Sequence, residues 1–186
     1  MQKFKRIKFL FFLMCVFFSF KFSNFKTVTY ANLENKTYEK ISEFHTDFKN
    51  GKQSRVNNIT LATKAIDNKI VESGETFSFN ETVGPTGKDN GYMKSKIFID
   101  GKESEGYGGG VCQVSSTLYN ACLDAKLTII ERHPHSLPVY YVSEDKDAAT
   151  SHGGIDFKFK NDFDYSIRIN TYILEEKIYV AIDKVV

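Results

Sequence analysis

The run Gly108-Gly109-Gly110-Val111-Cys112-Gln113-Val114-Ser115-Ser116-Thr117-Leu118-Tyr119-Asn120 constrains this chain more than any other. Three successive glycines deny the backbone a regular element. Directly after them Val111, Val114, Leu118, Ala121, Cys122 and Ala125 recur at helical spacing, which predicts a helix ending near Lys126 with one face in a core. Cys112 falls in the first turn, just off that stripe. The amide N–H groups there have no intrahelical partner and the helix dipole is positive, so a thiolate is favoured. The glycines admit a second backbone, so Gly109 and Gly110 are expected to border a bound peptide. On its own the run fits two descriptions: an activated sulfur nucleophile, or a turn leading into a helix with a buried free cysteine.

The N-terminus sharpens that choice. Residues 1–8 are basic, and Phe9 to Phe20 form a 12-residue apolar run, the layout of a secretory signal and short for a membrane span. Residues 1–31 are therefore expected to be a signal peptide, with Thr29-Tyr30-Ala31 as a small-residue cleavage site, or an uncleaved membrane anchor. Of 25 basic and 23 acidic residues, six basic ones and no acid lie in this segment, which leaves 19 against 23, a net of −4. A weakly acidic remainder without a basic patch excludes nucleic acid as an expected partner. Once the segment is set aside, Cys112 and Cys122 remain. In an exported protein two cysteines suggest a disulfide. On one helix they stand about 15 Å apart at ~1.5 Å per residue, beyond the ~7 Å a disulfide tolerates. Cys112 is left as an unpaired exported thiol, which favours the nucleophile.

In chain order, residues 32–54 are polar and read as a linker or irregular lead-in. Arg55 to Lys69 carries Val56, Ile59, Ala62 and Ile66 at helical spacing. Asn58-Ile59-Thr60 matches a glycosylation acceptor but falls inside this helix and is given no weight. Thr76–Phe79 alternates as a short strand, and Lys96–Ile99 before Asp100-Gly101-Lys102 reads as a strand entering a hairpin. After the cysteine helix come Leu127–Arg132, Val139–Val142 and Ile155–Lys160 as strands. In the last, Ile155, Phe157 and Phe159 are expected inward, with Asp156, Lys158 and Lys160 outward. Ser166–Leu174 and Lys177–Ile182 close a hairpin about Glu175-Glu176. The fold class expected is α+β: a mostly antiparallel sheet with an N-terminal helix and a central cysteine-bearing helix.

A cysteine nucleophile needs a base, usually histidine, and a group to orient it. His133-Pro134-His135 is held extended by its proline, so the two histidines are expected on one side. His135 is the preferred base; His133 is assigned to substrate or to His135. Asp147 and Asp156 compete for the orienting role, and Asp156 also fits a solvated strand face. Gln113, with the Cys112 N–H, is a candidate oxyanion donor, and Ser115 and Ser116 are candidates to line the groove. The rival constellation is tetrahedral zinc on Cys112, His133, His135 and His152. It lacks the usual close ligand spacings, so no metal or other cofactor is expected.

With these residues assembled, the chain resembles the VanW family. The resemblance rests on Gly74-Glu75-Thr76-Phe77-Ser78-Phe79-Asn80 with Val83-Gly84-Pro85, on the glycine–cysteine run, on Glu131-Arg132-His133-Pro134-His135-Ser136-Leu137-Pro138-Val139 with Tyr141-Val142, and on Asp147-Ala148 and Asp156–Asn161. It places the domain at residues 55–186. Some members of the family act as cysteine L,D-transpeptidases of peptidoglycan. The resemblance implies an extracytoplasmic protein, secreted or anchored at the cell wall, that meets peptidoglycan stem peptides and touches membrane only through its N-terminal segment. Cys112 would form a thioester with the third residue of a tetrapeptide stem, and a neighbouring stem amine would resolve it into a 3–3 cross-link. A non-catalytic wall-binding or glycopeptide-resistance accessory protein, and a cysteine peptidase hydrolysing stem peptides, are the alternatives.

Overall fold

The closing hairpin builds the centre of the main sheet. Strands β8 (Ile167–Leu174) and β9 (Lys177–Val185) pair antiparallel with Leu174 opposite Lys177, about the expected Glu175-Glu176 turn. Ile167 and Ile169 on one strand and Ile178, Val180 and Ile182 on the other are fully buried. These observations come from a computed structural model that describes residues 36–48, 51–99 and 101–186. The expected signal or anchor and the cysteine within it, Cys15, lie outside the described residues.

The edge of this sheet is β1 (Tyr38–Asp47), antiparallel to β9 along its length. An irregular lead-in was expected there. The strand escapes an apolar pattern because its buried positions include Ser42 and Thr46, whose hydroxyls bond to a helix rather than to apolar neighbours. Helix α1 (Gln53–Ile66) follows. It stops short of the expected Lys69, because Asn68 takes a left-handed backbone (φ 57°) and β2 (Lys69–Val71) then joins the opposite edge, giving the order β1-β9-β8-β2.

A second sheet of three short strands, β3 (Thr76–Ser78), β7 (Lys158–Lys160) and β6 (Thr128–Glu131), runs in the order β3-β7-β6. Between β3 and the later strands lie the short helix α2 (Phe79–Val83) and the hairpin of β4 (Lys94–Ile99) and β5 (Lys102–Tyr107). Helix α3 (Val111–Asp124) carries Cys112, and it packs on β1, β9 and α1. Every ladder in the three sheets is antiparallel, so the expected α+β class holds.

Two expected strand readings are corrected. Val139–Val142 is a bent loop, despite its β-branched and aromatic composition. Of Ile155–Lys160 only Lys158–Lys160 pairs; Ile155 is exposed and Asp156 is buried. Phe157 and Phe159 do go inward, each at 0% exposure. Burying each phenyl ring is worth about 1.5–3 kcal/mol, enough to hold the chain while Asp156 bonds inside rather than facing water.

Candidate active site

Helix α3 is capped at its start by Gly110, whose φ of 113° suits glycine alone. The glycine run is wedged between two elements. A Cβ on Gly109 would sit 2.4 Å from the Lys96 carbonyl oxygen of β4, and one on Gly110 would sit 3.0 Å from Ile59 and 3.1 Å from Arg55 of α1. Asn58 locks the run from behind: its amide donates to the carbonyls of Gly109 (3.0 Å) and Met93 (2.9 Å), while its Oδ1 accepts from the Met93 N–H (2.8 Å). The clearance that glycine gives is thus filled by the protein itself, by β4 backbone at Gly109 and mainly by α1 side chains at Gly110, although both residues also border the cleft.

Cys112 lies in the second position of α3, half-buried, at the floor of a cleft of about 680 Å³. Cys122 is buried further along the same helix, and both thiols are free. The Cys112 sulfur lies 3.5 Å from the Thr150 N–H donor and 3.9 Å from the Thr150 hydroxyl. Burial pushes the thiol up, but the hydrogen bond and charge of His135, with the Thr150 donors, outweigh it and leave it below an ordinary cysteine. Cys122, with burial alone, is pushed well up. No acceptor engages the Cys112 backbone N–H among the described residues.

His135 completes the pair. Its Nδ1 is 2.5 Å from Asp147 Oδ2, and the same oxygen accepts the His135 backbone N–H at 2.6 Å. Burial pushes the imidazole down, yet Cys112 and then Asp147 raise it above an ordinary histidine. Burial likewise pushes Asp147 up, but the His135 N–H and ring and the Arg132 charge hold it low. Arg132 grips Asp147 twice, through its Oδ1 (2.7 Å) and its carbonyl (2.6 Å). With Nδ1 committed to Asp147, Nε2 is the nitrogen left to serve the sulfur. The Tyr141 hydroxyl stands 3.5 Å from it, and burial raises Tyr141, so it remains a neutral donor.

Asp147 and Asp156 therefore separate. Asp156 Oδ2 accepts from Ser78 (2.6 Å), and its Oδ1 accepts from the backbones of Asn80 (2.9 Å) and Phe157 (2.8 Å), which ties β7 to the start of α2. Its carboxylate is committed there and makes no bond to His135. The two histidines separate as well. The His133 ring bonds Glu131 at 3.0 Å, and only its backbone reaches the site region, by accepting the Ala149 N–H. Glu131 itself, hydrogen-bonded by Lys158, the Asp156 N–H and His133, is held down to about 2.

Gln113 is buried with both amide hydrogens donated, to Thr46 (3.1 Å) and the Asp47 carbonyl (2.9 Å), so its side chain has none left for an oxyanion. Ser115 and Ser116 do not border the cleft. They sit behind Cys112 and fasten the segment that carries Asp147: Ser115 donates to the Ala148 carbonyl (2.6 Å), Ser116 accepts the Ala148 N–H (2.9 Å), and Asn120 donates to the Lys146 carbonyl (2.7 Å). The expected single apolar face of α3 is thus too narrow a reading, since ten of its residues are buried. Among the described residues no group of three or more His, Cys, Asp or Glu is placed to hold a metal.

Thr150, Tyr141, Arg132 and Asn58 are site residues that sequence reasoning missed. Arg132 and Tyr141 lie within the segments around His135 that carry the family resemblance, and that was their only signal. Thr150 and Asn58 carried none.

With this geometry in view, the comparison with known proteins is specific. The VanW like protein family model matches residues 54–183. The chain belongs to that family. It is 45% identical over 131 residues to the uncharacterized protein YoaR of Bacillus subtilis (strain 168), across 70% of this chain and 43% of that protein. It is 37% identical over 131 residues to the vancomycin B-type resistance protein VanW of Enterococcus faecalis (strain ATCC 700802 / V583), across 68% of this chain and 48% of that one. The chain thus spans less than half the length of either curated relative. No solved structure matches it. The family match covers Cys112, His135, Asp147 and Thr150 alike. No helix among the described residues is long and apolar enough to cross a membrane.

Proposed function

We propose that this domain is an exported cysteine L,D-transpeptidase of the cell wall. The observation that carries the reading is that Cys112 and His135 border one cleft with Asp147 bonded behind the imidazole, and that sulfur and imidazole are each shifted by the other. That is a nucleophile, a base and an orienting carboxylate in working order.

In this reading the Cys112 thiolate attacks the carbonyl carbon of the third residue of a tetrapeptide stem. The negative charge that develops on the carbonyl oxygen meets the unengaged Cys112 N–H and the positive end of α3. His135 delivers its proton to the departing nitrogen, the C–N bond breaks, and the terminal D-Ala leaves. A thioester remains. The side-chain amine of a second stem then attacks it, His135 takes the amine proton, the C–S bond breaks, and a 3–3 cross-link results. Asp147 keeps the ring oriented and favours its charged form throughout.

Incubation with a disaccharide-tetrapeptide, read by mass spectrometry, tests this. A cross-linked dimer that disappears with Cys112→Ala is the expected result. Tripeptide without dimer would convert the reading to a hydrolase, and turnover retained in Cys112→Ala would end it.

A further inference from the structure

We infer that Arg55 is the carboxylate receptor of this cleft, and that it selects peptides with a free α-carboxylate beside the bond attacked by Cys112. The cleft's charged lining is one-sided. Arg55 and Lys96 border it, and among the described residues no Asp or Glu does. Lys96 is already ion-paired with Glu103 on the neighbouring strand. Arg55 is not: no carboxylate pairs with its guanidinium among the described residues, and its Nε has no hydrogen-bond partner there. One donor is used, from Nη2 to Gln113 Oε1 at 2.8 Å. That bond, the contact of the Arg55 stem with Gly110 and the Tyr140 ring 5.9 Å from its Cζ fix the fork's position. Gly110 and Gln113 bracket Cys112 in the chain, and Arg55 borders the same cleft as Cys112.

A half-buried guanidinium with a fixed stem and unspent donors matches a carboxylate in shape and charge. Leaving it unmatched costs free energy that a ligand carboxylate recovers. In the transpeptidase reading, on which this inference rests, that carboxylate belongs to the leaving D-amino acid, one residue beyond the attacked carbonyl. Arg55 then makes the enzyme act at the free end of a stem and not within a longer peptide.

The test compares a tetrapeptide stem ending in a free carboxylate with the same stem ending in a carboxamide. Wild type is expected to prefer the carboxylate by about 10- to 100-fold in kcat/KM, the range of one hydrogen bond to a charged group. Arg55→Gln is expected to bring the ratio close to one, and Arg55→Lys to keep part of it through charge without the fork. An equal ratio in wild type and Arg55→Gln would overturn the inference. A second readout needs no transpeptidation. Alkylation of Cys112 by iodoacetate relative to iodoacetamide is expected to fall several-fold in Arg55→Gln and less in Arg55→Lys. Should wild type turn over neither stem, the transpeptidase reading fails, and the alkylation ratio alone decides whether Arg55 receives carboxylates: an unchanged ratio refutes it. Thermal melts of both variants confirm that the folded protein is being compared.

Discussion

Asp147 Oδ2 takes both the side-chain and the backbone nitrogen of His135, at 2.5 and 2.6 Å, whereas Asp156 spends its carboxylate on Ser78, Asn80 and Phe157. The two aspartates, equal by sequence, should therefore fail in different ways. Asp147→Asn keeps the shape but presents the wrong donor pattern to the ring, and turnover should drop by about 10²–10⁴, as loss of an orienting carboxylate does elsewhere. Asp156→Asn replaces one of the two buried acceptor oxygens that serve three donors with an NH2 group, and should lower unfolding stability by about 1–3 kcal/mol. Its folded fraction should turn over normally. Denaturant melts beside turnover assays separate the two, and a stable but inactive Asp156→Asn would reverse the assignment.

The same contacts set a pH dependence. Cys112 is lowered and His135 raised, each with the other among its causes, so they titrate as a pair. The form that attacks holds one proton between them. A second proton quenches the thiolate at low pH, and loss of the last disarms the acid at high pH, so kcat/KM should be bell-shaped. Cys112 should alkylate faster at pH 6 than a free cysteine peptide does. In His135→Ala the lowering contacts with the ring vanish while burial continues to push the thiol up. The alkylation profile should then move to higher pH. A profile identical to wild type would show that His135 does not act on the sulfur.

How much of this could be read from the chain depends on where each element's order comes from. The β8–β9 hairpin and α3 carry their apolar residues at the right periods, so they were legible. The placement of Cys112 was legible because it sat at a helix start, too far along that helix from Cys122 to pair with it. Strand β1 was not, because the positions it buries include Ser42 and Thr46, hydroxyls that bond α3. The segment from Lys146 to Thr150 has no period of its own. It is ordered by Ser115, Ser116 and Asn120 from one side and Arg132 from the other. Four side chains distant in sequence thus decided between Asp147 and Asp156, and no local pattern records them.

The glycine run offers a graded test of packing. Gly74 has φ 79° and open space where a Cβ would stand, so Gly74→Ala should cost only the backbone penalty, about 1–2 kcal/mol. Gly110→Ala adds contacts at 3.0–3.3 Å to a φ of 113°, and Gly109→Ala drives a methyl to 2.4 Å from the Lys96 carbonyl. Both should cost more than Gly74→Ala. They should also slow Cys112 alkylation, because β4 and α1 must shift against the start of α3. Melting temperatures that rank Gly74→Ala lowest would contradict this packing.

The turn at Glu175-Glu176 points the other way, toward a gain. Both residues take a left-handed backbone, at φ 49° and 58°, with Leu174 and Lys177 paired on either side. Two positive φ angles in a two-residue hairpin are the conformation that Asn-Gly adopts with least strain, and glutamate tolerates it poorly. The turn's outward bond uses backbone only, from the Phe48 N–H to the Glu176 carbonyl at 2.9 Å, so the side chains are replaceable there. Glu175→Asn with Glu176→Gly should therefore stabilise the fold by roughly 0.5–2 kcal/mol. The gain should appear as a higher unfolding midpoint with an unchanged rate of Cys112 alkylation, since the substitution lies outside the cleft. A midpoint that falls would mean that the glutamate side chains stabilise the turn by contacts stronger than the strain they impose.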